Sequence, residues 1–354
     1  MTDTFPHAPE DVSAAWLSEI IGAPVASFDR EQIAIGIGLL GRLYRLTLTG
    51  KGTPSSVVVK FPTLDEGARA NVVEPLRFYE KEVRFYQEAA PAVPVATPRV
   101  YFAGFDPASG DFALVFEDCG GRRMEDQVAG CTVDDAATAV DAMVDLHSFS
   151  WDGPRLADYP WLPAYANPPF PQVLAGMYKQ AWPRALELLG DRMTDHIRDF
   201  GDRYAGLVPW FMEEATVPPH TFCHGDFRLD NLFFGTTPQH APVTLVDWQI
   251  CFRGRGGYDL AYFLSQSLTA EDRRAHEDRL IDRYAEGLAA RGISYPRGEL
   301  VRDYTRTVAY CFIYPIVATG QIEVISERQL QLLQGLLDRS IAAIEDTGAL
   351  DILP

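Results

Sequence analysis

The chain turns from mainly strand-like to mainly helical hydrophobic spacing close to Asp118, and that change constrains the fold more than any other feature. Before it, apolar residues alternate or form short runs: IAIGIG, RLYRLTL, SVVVKF, VYFAGF and FALVFED, with a Gly50-Lys51-Gly52 turn between the second and third. The meander they predict begins at Gln32 and is interrupted by one helix, EPLRFYEKEVRFYQEA, where Tyr79, Val83, Tyr86 and Ala90 fall on one face. A shorter amphipathic helix over residues 10–21, with Val12, Trp16 and Ile20 on its apolar stripe, precedes the strands. Beyond Gly120-Gly121 the spacing is mainly helical, broken by two short runs, NLFFG and PVTLVDW, that read as a hairpin. At 354 residues the chain exceeds one ordinary domain, and the expectation is a β-rich lobe over residues 1–118 and a helical lobe over 119–354.

Composition narrows the partners. With 31 basic and 49 acidic side chains the formal charge is -18, which repels nucleic acid and anionic membrane surfaces. A nucleotide would need a few well-placed cations and a divalent metal to hold its phosphates. The five cysteines are odd in number and lack CxxC spacing, against a disulfide framework or a structural zinc site. The N-terminus lacks a leader-like apolar segment and no long apolar window follows, so a cytoplasmic location is expected, with no membrane and no obligatory protein partner.

The chemistry gathers in His224-Gly-Asp226-Phe-Arg-Leu-Asp-Asn231, followed by Asp247 at the end of the apolar run VTLV. Phosphoryl transfer from ATP needs a carboxylate to take the proton of the attacking hydroxyl and oxygen ligands to hold Mg2+ against the phosphates. HxDxxxxN supplies the first at Asp226 and one ligand at Asn231, and Asp247 supplies another. Upstream, Gly36, Gly38 and Gly41 form a GxGxxG followed by an alternating strand and not a helix. That order suits a loop whose backbone approaches phosphates; a merely flexible hairpin is the alternative. Lys60 closes the run VVVK, where its charge needs an anionic partner: a phosphate of ATP, or Glu82 on the following helix. A solvated edge charge is the plain alternative for both. Glu117 and Asp118 end the last strand of the first lobe, where backbone groups could bond an adenine ring. Arg228 could stabilise the transferring phosphoryl group or simply pair with Asp230 or Asp247. Asp259 either caps its helix or braces the loop at Asp226, and His147 and Trp151 read as core.

Taken together, GxGxxG, Lys60, Glu82, HGDFRLDN and LVDWQ resemble the aminoglycoside phosphotransferase and choline kinase superfamily over about residues 30–270. HGDFRLDNLFF, VDWQ and DLAYFLSQSLTAEDRRAHEDRLIDRYAEGL look most like bacterial ecdysteroid kinase-like phosphotransferases. The resemblance implies an α+β, protein-kinase-like bilobal fold that transfers the γ-phosphoryl group of ATP to the hydroxyl of a small molecule. Asp247-Trp248-Gln249 stands where protein kinases have Asp-Phe-Gly, and only ICFRGRGGY separates it from Asp259, too short for an activation segment. The acceptor stays open between an apolar alcohol, for which the aromatics Trp161, Tyr165, Phe170, Tyr178, Trp182, Tyr310, Phe312 and Tyr314 could form a pocket, and a cationic amino-sugar or amino-alcohol. A nucleotide-binding pseudokinase acting as an interaction module is the rival.

Overall fold

A computed structural model describes residues 5–34, 40–322, 324 and 326–354. The chain divides into two compact units, one of Met1–Ala92, Ala96–Arg122 and Val246–Gln249, the other of Val93–Val95, Arg123–Leu245 and Ile250–Pro354. The fold is of the α+β, protein-kinase-like class, with the sheet in the first unit and the helices in the second.

In the first unit, β1 (Val25–Ile33), β2 (Gly41–Gly50), β3 (Ser56–Pro62), β4 (Val100–Phe105) and β5 (Phe112–Glu117) form an antiparallel sheet in the order β1-β2-β3-β5-β4. Register pairs Leu43 with Lys60 and Lys60 with Leu114, so the lysine sits on a strand bonded on both sides. β1 begins earlier than the meander read from Gln32, because polar residues such as Asp29 and Glu31 pair with β2 through their backbones while their side chains stay exposed. Helix α1 (Ala14–Ile21) starts two residues after Val12; Ser13 caps it by accepting from the Trp16 N–H, and Gly22 ends it in the left-handed region at φ 74°. Leu17, not Trp16, is its fully buried residue, packed with Val12, Leu46, Val57, Val59 and Phe61.

The helix read as continuous over residues 74–90 is interrupted. A single turn, α2 (Glu66–Ala68), runs into a π-helical stretch, Arg69–Val73. Arg77 then takes φ 53°, and α3 (Phe78–Arg84) continues into a second π-helical stretch, Phe85–Ala89. The apolar stripe of residues 74–90 carries no sign of these breaks. The Tyr79 hydroxyl ties α3 to the sheet by accepting from the Thr63 N–H and donating to the Leu40 carbonyl.

The second unit contains β6 (Arg123–Met124), α4 (Val133–Ser148), α5 (Phe170–Leu189), α6 (Asp195–Ala215), β7 (Thr221–Cys223), β8 (Leu232–Phe234), β9 (Val243–Leu245), β10 (Phe252–Gly254) and α7 (Gly257–Ser267). It closes with α8 (Ala270–Ala289), α9 (Arg297–Tyr310), α10 (Ile313–Gln321) and α11 (Glu327–Thr347). The hairpin expected from NLFFG and PVTLVDW is β8 and β9, joined at its edge by β6; β7 and β10 form a separate pair. These two-stranded and three-stranded pieces present the loop 224–231, between β7 and β8. All residues of α7 are buried, which makes this helix the support of that loop. Among the described residues, no helix is long and apolar enough to cross a membrane.

Candidate active site

Two polar clusters, one in each unit, contain Lys60, Glu82 and Asp247 in the first and Asp226, Arg228 and Asn231 in the second. The first is built on β3 and α3. Lys60 Nζ donates to both oxygens of Glu82, at 2.9 and 2.8 Å, and to Oδ1 of Asp247 at 3.0 Å. Of Glu74, Glu80 and Glu82, the last reaches the lysine: Glu80 pairs with Arg77 and Arg84, and Glu74 with Arg69. Burial opposes the charge on Lys60, but Asp247 and Glu82 together raise its pKa above the ordinary lysine value. Burial pushes the Glu82 carboxyl up, with Lys60 acting against that rise and Asp247 adding to it.

Asp247 has φ 64°, a left-handed conformation that aspartate tolerates better than most residues. The next residue, Trp248, lies flat on Phe85 of the α3 extension, with centroids 3.8 Å apart and planes at 9°. That stack gives the tryptophan, which replaces the phenylalanine of protein kinases, a packing role beside the carboxylate. Gly41, the last glycine of GxGxxG, opens β2, and a Cβ there would stand 3.1 Å from Cε of Lys60. Its missing side chain therefore makes room for the lysine stem. Gly36 and Gly38 lie outside the described residues.

At the end of β5, the Glu117 backbone N–H bonds the Arg99 carbonyl and its carboxylate holds Arg122. The Asp118 carboxylate accepts from Arg45, Ser56 and the Gly120 N–H. Both side chains thus fix the chain where it leaves the sheet.

The second cluster is the loop 224–231. Asp226 is buried and its two oxygens have different partners: Tyr262 donates to Oδ1 at 2.9 Å and Asn231 Nδ2 to Oδ2 at 2.9 Å. Asn231 Nδ2 also donates to the Asp226 carbonyl, at 2.8 Å, so its carboxamide oxygen is left as an acceptor. Arg228 Nε approaches Asp226, and its other arm pairs with Asp230. Burial raises the Asp226 pKa, but the Arg228 charge and the Tyr262 and Asn231 hydrogen bonds outweigh it and leave the carboxyl below the ordinary aspartate value. The side chain is an ionised acceptor.

Asp259 does not cap its helix. Its carboxylate accepts from the backbone N–H groups of His224, at 2.7 Å, and Gly225, at 2.9 Å, bracing the loop from below. Gly225 has φ 84°, and a Cβ there would meet the Ile250 carbonyl at 2.6 Å, so this turn requires glycine. On the far side Gln127 Oε1 accepts from the Leu229 N–H, while Gln127 Nε2 donates to the Gln266 carbonyl.

Sequence reasoning left out two residues that shape this cluster. His147 is fully buried as expected of a core residue, but its Nε2 is 3.1 Å from Asp259 and its Nδ1 2.7 Å from the Tyr284 hydroxyl. Tyr262 follows Asp259 at the i,i+3 spacing, which puts both on the face of α7 toward the loop; that spacing is the signal that could have found it. Of the eight aromatics considered for an acceptor pocket, all but Tyr314 are buried core, and Tyr314 is half-buried.

Comparison with known proteins bears on the family and the fold. The profile of the Ecdysteroid kinase-like family matches residues 38–292, well over half of the chain. The chain belongs to this family. Similar solved structures include choline kinase from Cryptosporidium parvum, with 12% identity, 97% of this chain and 95% of that chain covered, and a TM-score of 0.57. The ethanolamine kinase of Plasmodium vivax shares 10% identity over 91% of this chain and 82% of that chain, with a TM-score of 0.52. The aminoglycoside 2'-phosphotransferase-IIIa solved with GDP shares 14% identity over 96% of this chain and 100% of that chain, with a TM-score of 0.50. At such identities these structures establish the fold that the ecdysteroid kinase-like chain shares with them. No curated protein sequence matches it.

Proposed function

We propose that this member of the ecdysteroid kinase-like family transfers the γ-phosphoryl group of ATP to a hydroxyl of a small molecule, with Mg2+ bound. The observation that carries the reading is the Asp226 carboxylate, buried and ionised, with one oxygen bonded to Tyr262 and the other to Asn231. A carboxylate kept below the ordinary pKa is a weak base in the ground state. Its task is to orient the acceptor's hydroxyl and to take its proton as the oxygen bonds to phosphorus. Lys60, fixed by Glu82 and Asp247, is a cation available to ATP phosphates, and the motif Gly36, Gly38 and Gly41 is the sequence's candidate for backbone contact with them. Glu117 and Asp118 mark the strand end for the adenine ring, and Arg228 offers charge to the transferring group.

On this reading the carboxamide oxygen of Asn231 and the carboxylate of Asp247 would be the donors for Mg2+, each a hard oxygen atom of the type this ion prefers. When bound, the ion neutralises phosphate charge. Only β10 and two residues separate Gln249-Ile250-Cys251 from the start of α7, which leaves no activation segment and speaks against a polypeptide acceptor.

For the acceptor, the names of the similar structures favour an amino-alcohol or amino-sugar, as does the net charge of -18. The family's own description favours a sterol-like alcohol. Burial of the aromatic residues as core removes the sequence argument for an apolar pocket. The test is ADP release from Mg-ATP across pools of amino-alcohols, amino-sugars, sterols and terpenols, run beside Asp226→Asn. A kinase requires a pool that stimulates the wild type and leaves the variant, folded and still binding ATP, slower by several orders of magnitude. Equal rates for both in every pool would point to a pseudokinase serving as a binding module.

A further inference from the structure

Catalysis by Asp226 requires its carboxylate to be held at one rotation as well as ionised. A carboxylate turns about its Cβ–Cγ bond in a broad, shallow well, so a single hydrogen bond leaves its oxygens loosely aimed. We propose that Tyr262 is a positioning residue for phosphoryl transfer: by donating to Oδ1 of Asp226 while Asn231 donates to Oδ2, it fixes the direction from which the carboxylate accepts the substrate's proton. The proposal rests on the kinase reading above.

Three observations support it. The two donors reach opposite oxygens at the same 2.9 Å, whereas Arg228 Nε lies 3.2 Å from Oδ1 and 3.3 Å from Oδ2 and so sets charge but not rotation. The Tyr262 ring is itself held, stacked on Tyr314 with centroids 4.0 Å apart and planes at 4°. Tyr314 in turn shares a hydroxyl hydrogen bond with Tyr258, and Tyr258 another with Tyr165 at 3.0 Å. The linked tyrosines of the helical unit thus reach the Asp226 carboxylate through the Tyr262 hydroxyl. Finally, Tyr262 and Asp259 share a face of the buried helix α7, so one rigid element sets both the loop backbone and the orientation of its carboxylate.

A purely structural role is the competing reading, since a buried phenol needs a hydrogen-bond partner in any case. Tyr304 separates the two. It is equally buried and its hydroxyl donates to a carboxylate, Glu277, at 2.6 Å, far from the loop in sequence and with no bond to it. The experiment measures ADP release from Mg-ATP with the acceptor pool that most stimulates the wild type, for Tyr262→Phe, Tyr304→Phe, Asp226→Asn and the Tyr262→Phe/Asp226→Asn pair, each checked for folding by circular dichroism. Tyr262→Phe keeps the ring and its stack. It is expected to lower kcat about tenfold or more, the scale on which a slightly misplaced reacting group loses rate, while KM for Mg-ATP stays within about twofold. Tyr304→Phe is expected to keep kcat within about twofold, and Tyr262→Phe to add nothing once Asp226 is already asparagine. Wild-type kcat in Tyr262→Phe, or an equal loss added on the Asp226→Asn background, overturns the positioning role and leaves the kinase standing. A wild type no faster than Asp226→Asn in every pool removes the kinase reading and this proposal with it.

Discussion

Replacing Lys60 by methionine tests the first cluster through stability alone. Lys60 is 6% exposed and Glu82 1%, and the two are joined by paired contacts of 2.8 and 2.9 Å. Methionine fills most of the lysine stem's volume, so the cavity contribution is small and the loss is chiefly electrostatic. Removing one partner of a buried ion pair costs about 3–5 kcal/mol. Glu82 can take up a proton, which places the expected loss near the lower end, about 3 kcal/mol at pH 8. The pH dependence has a definite sign. Burial raises the Glu82 pKa and Lys60 opposes that rise, so without Lys60 the folded-state pKa climbs further. A carboxyl raised on folding favours the folded state below its unfolded pKa and loses that contribution as pH rises toward the folded pKa. The deficit of Lys60→Met is therefore smaller at pH 5 than at pH 8, by about 1.4 kcal/mol for each unit of the further Glu82 pKa rise that falls between those two pH values. Urea unfolding followed by tryptophan fluorescence reads it, since Trp248 lies stacked on Phe85 in the same unit. Adding Glu82→Gln should recover part of the loss and flatten the pH dependence. A single variant within about 0.5 kcal/mol of wild type at pH 8, the range of an ordinary surface change, would refute the buried pair.

Asp247→Asn keeps a side chain that tolerates the left-handed backbone at this position and removes one negative charge. It should weaken ATP binding at least tenfold in Mg2+, seen by calorimetry, and change little in EDTA; equal affinity in Mg2+ takes Asp247 out of the metal site. Asp259→Ala leaves the buried N–H groups of His224 and Gly225 without their acceptor, a loss of about 1–3 kcal/mol for each group. Thermal unfolding should show the variant markedly less stable, and a Tm equal to wild type contradicts the brace.

Much of this was legible from periodicity and spacing, and the reasons differ by residue. Lys60 and Glu82 were legible because a charge at the end of an apolar strand and another flanking an apolar helix face both need partners, and each supplies the other's. Asp226 and Asn231 were legible because five residues of separation brings them onto one turn, where their side chains meet. The breaks around α3 were not, since apolar residues at near-helical spacing continue past Arg77 and Phe85 and do not distinguish α-helical from π-helical turns. The strand before Gln32 was not legible because its exposed polar side chains hide a backbone paired with β2 from Ser27 to Ile33, while most of the run IAIGIG lies outside the described residues. Asp259 left two readings open at sequence level: an acidic residue in the first turn of a helix suits a cap, and only the fold shows it reaching the loop. Tyr262 looked like one more buried aromatic, and its hydroxyl acquires meaning only from the carboxylate opposite.

The most direct test of the central claim is the fate of the γ-phosphorus. Mg-ATP is incubated with the wild type and the stimulating pool, and the mixture is followed by phosphorus NMR. A kinase with Asp226 as its base replaces the γ signal of ATP by ADP and a new phosphate monoester on an alcohol, and the ester fails to form with Asp226→Asn. ADP accompanied by inorganic phosphate alone, AMP with pyrophosphate, or ATP left intact in every pool contradicts it.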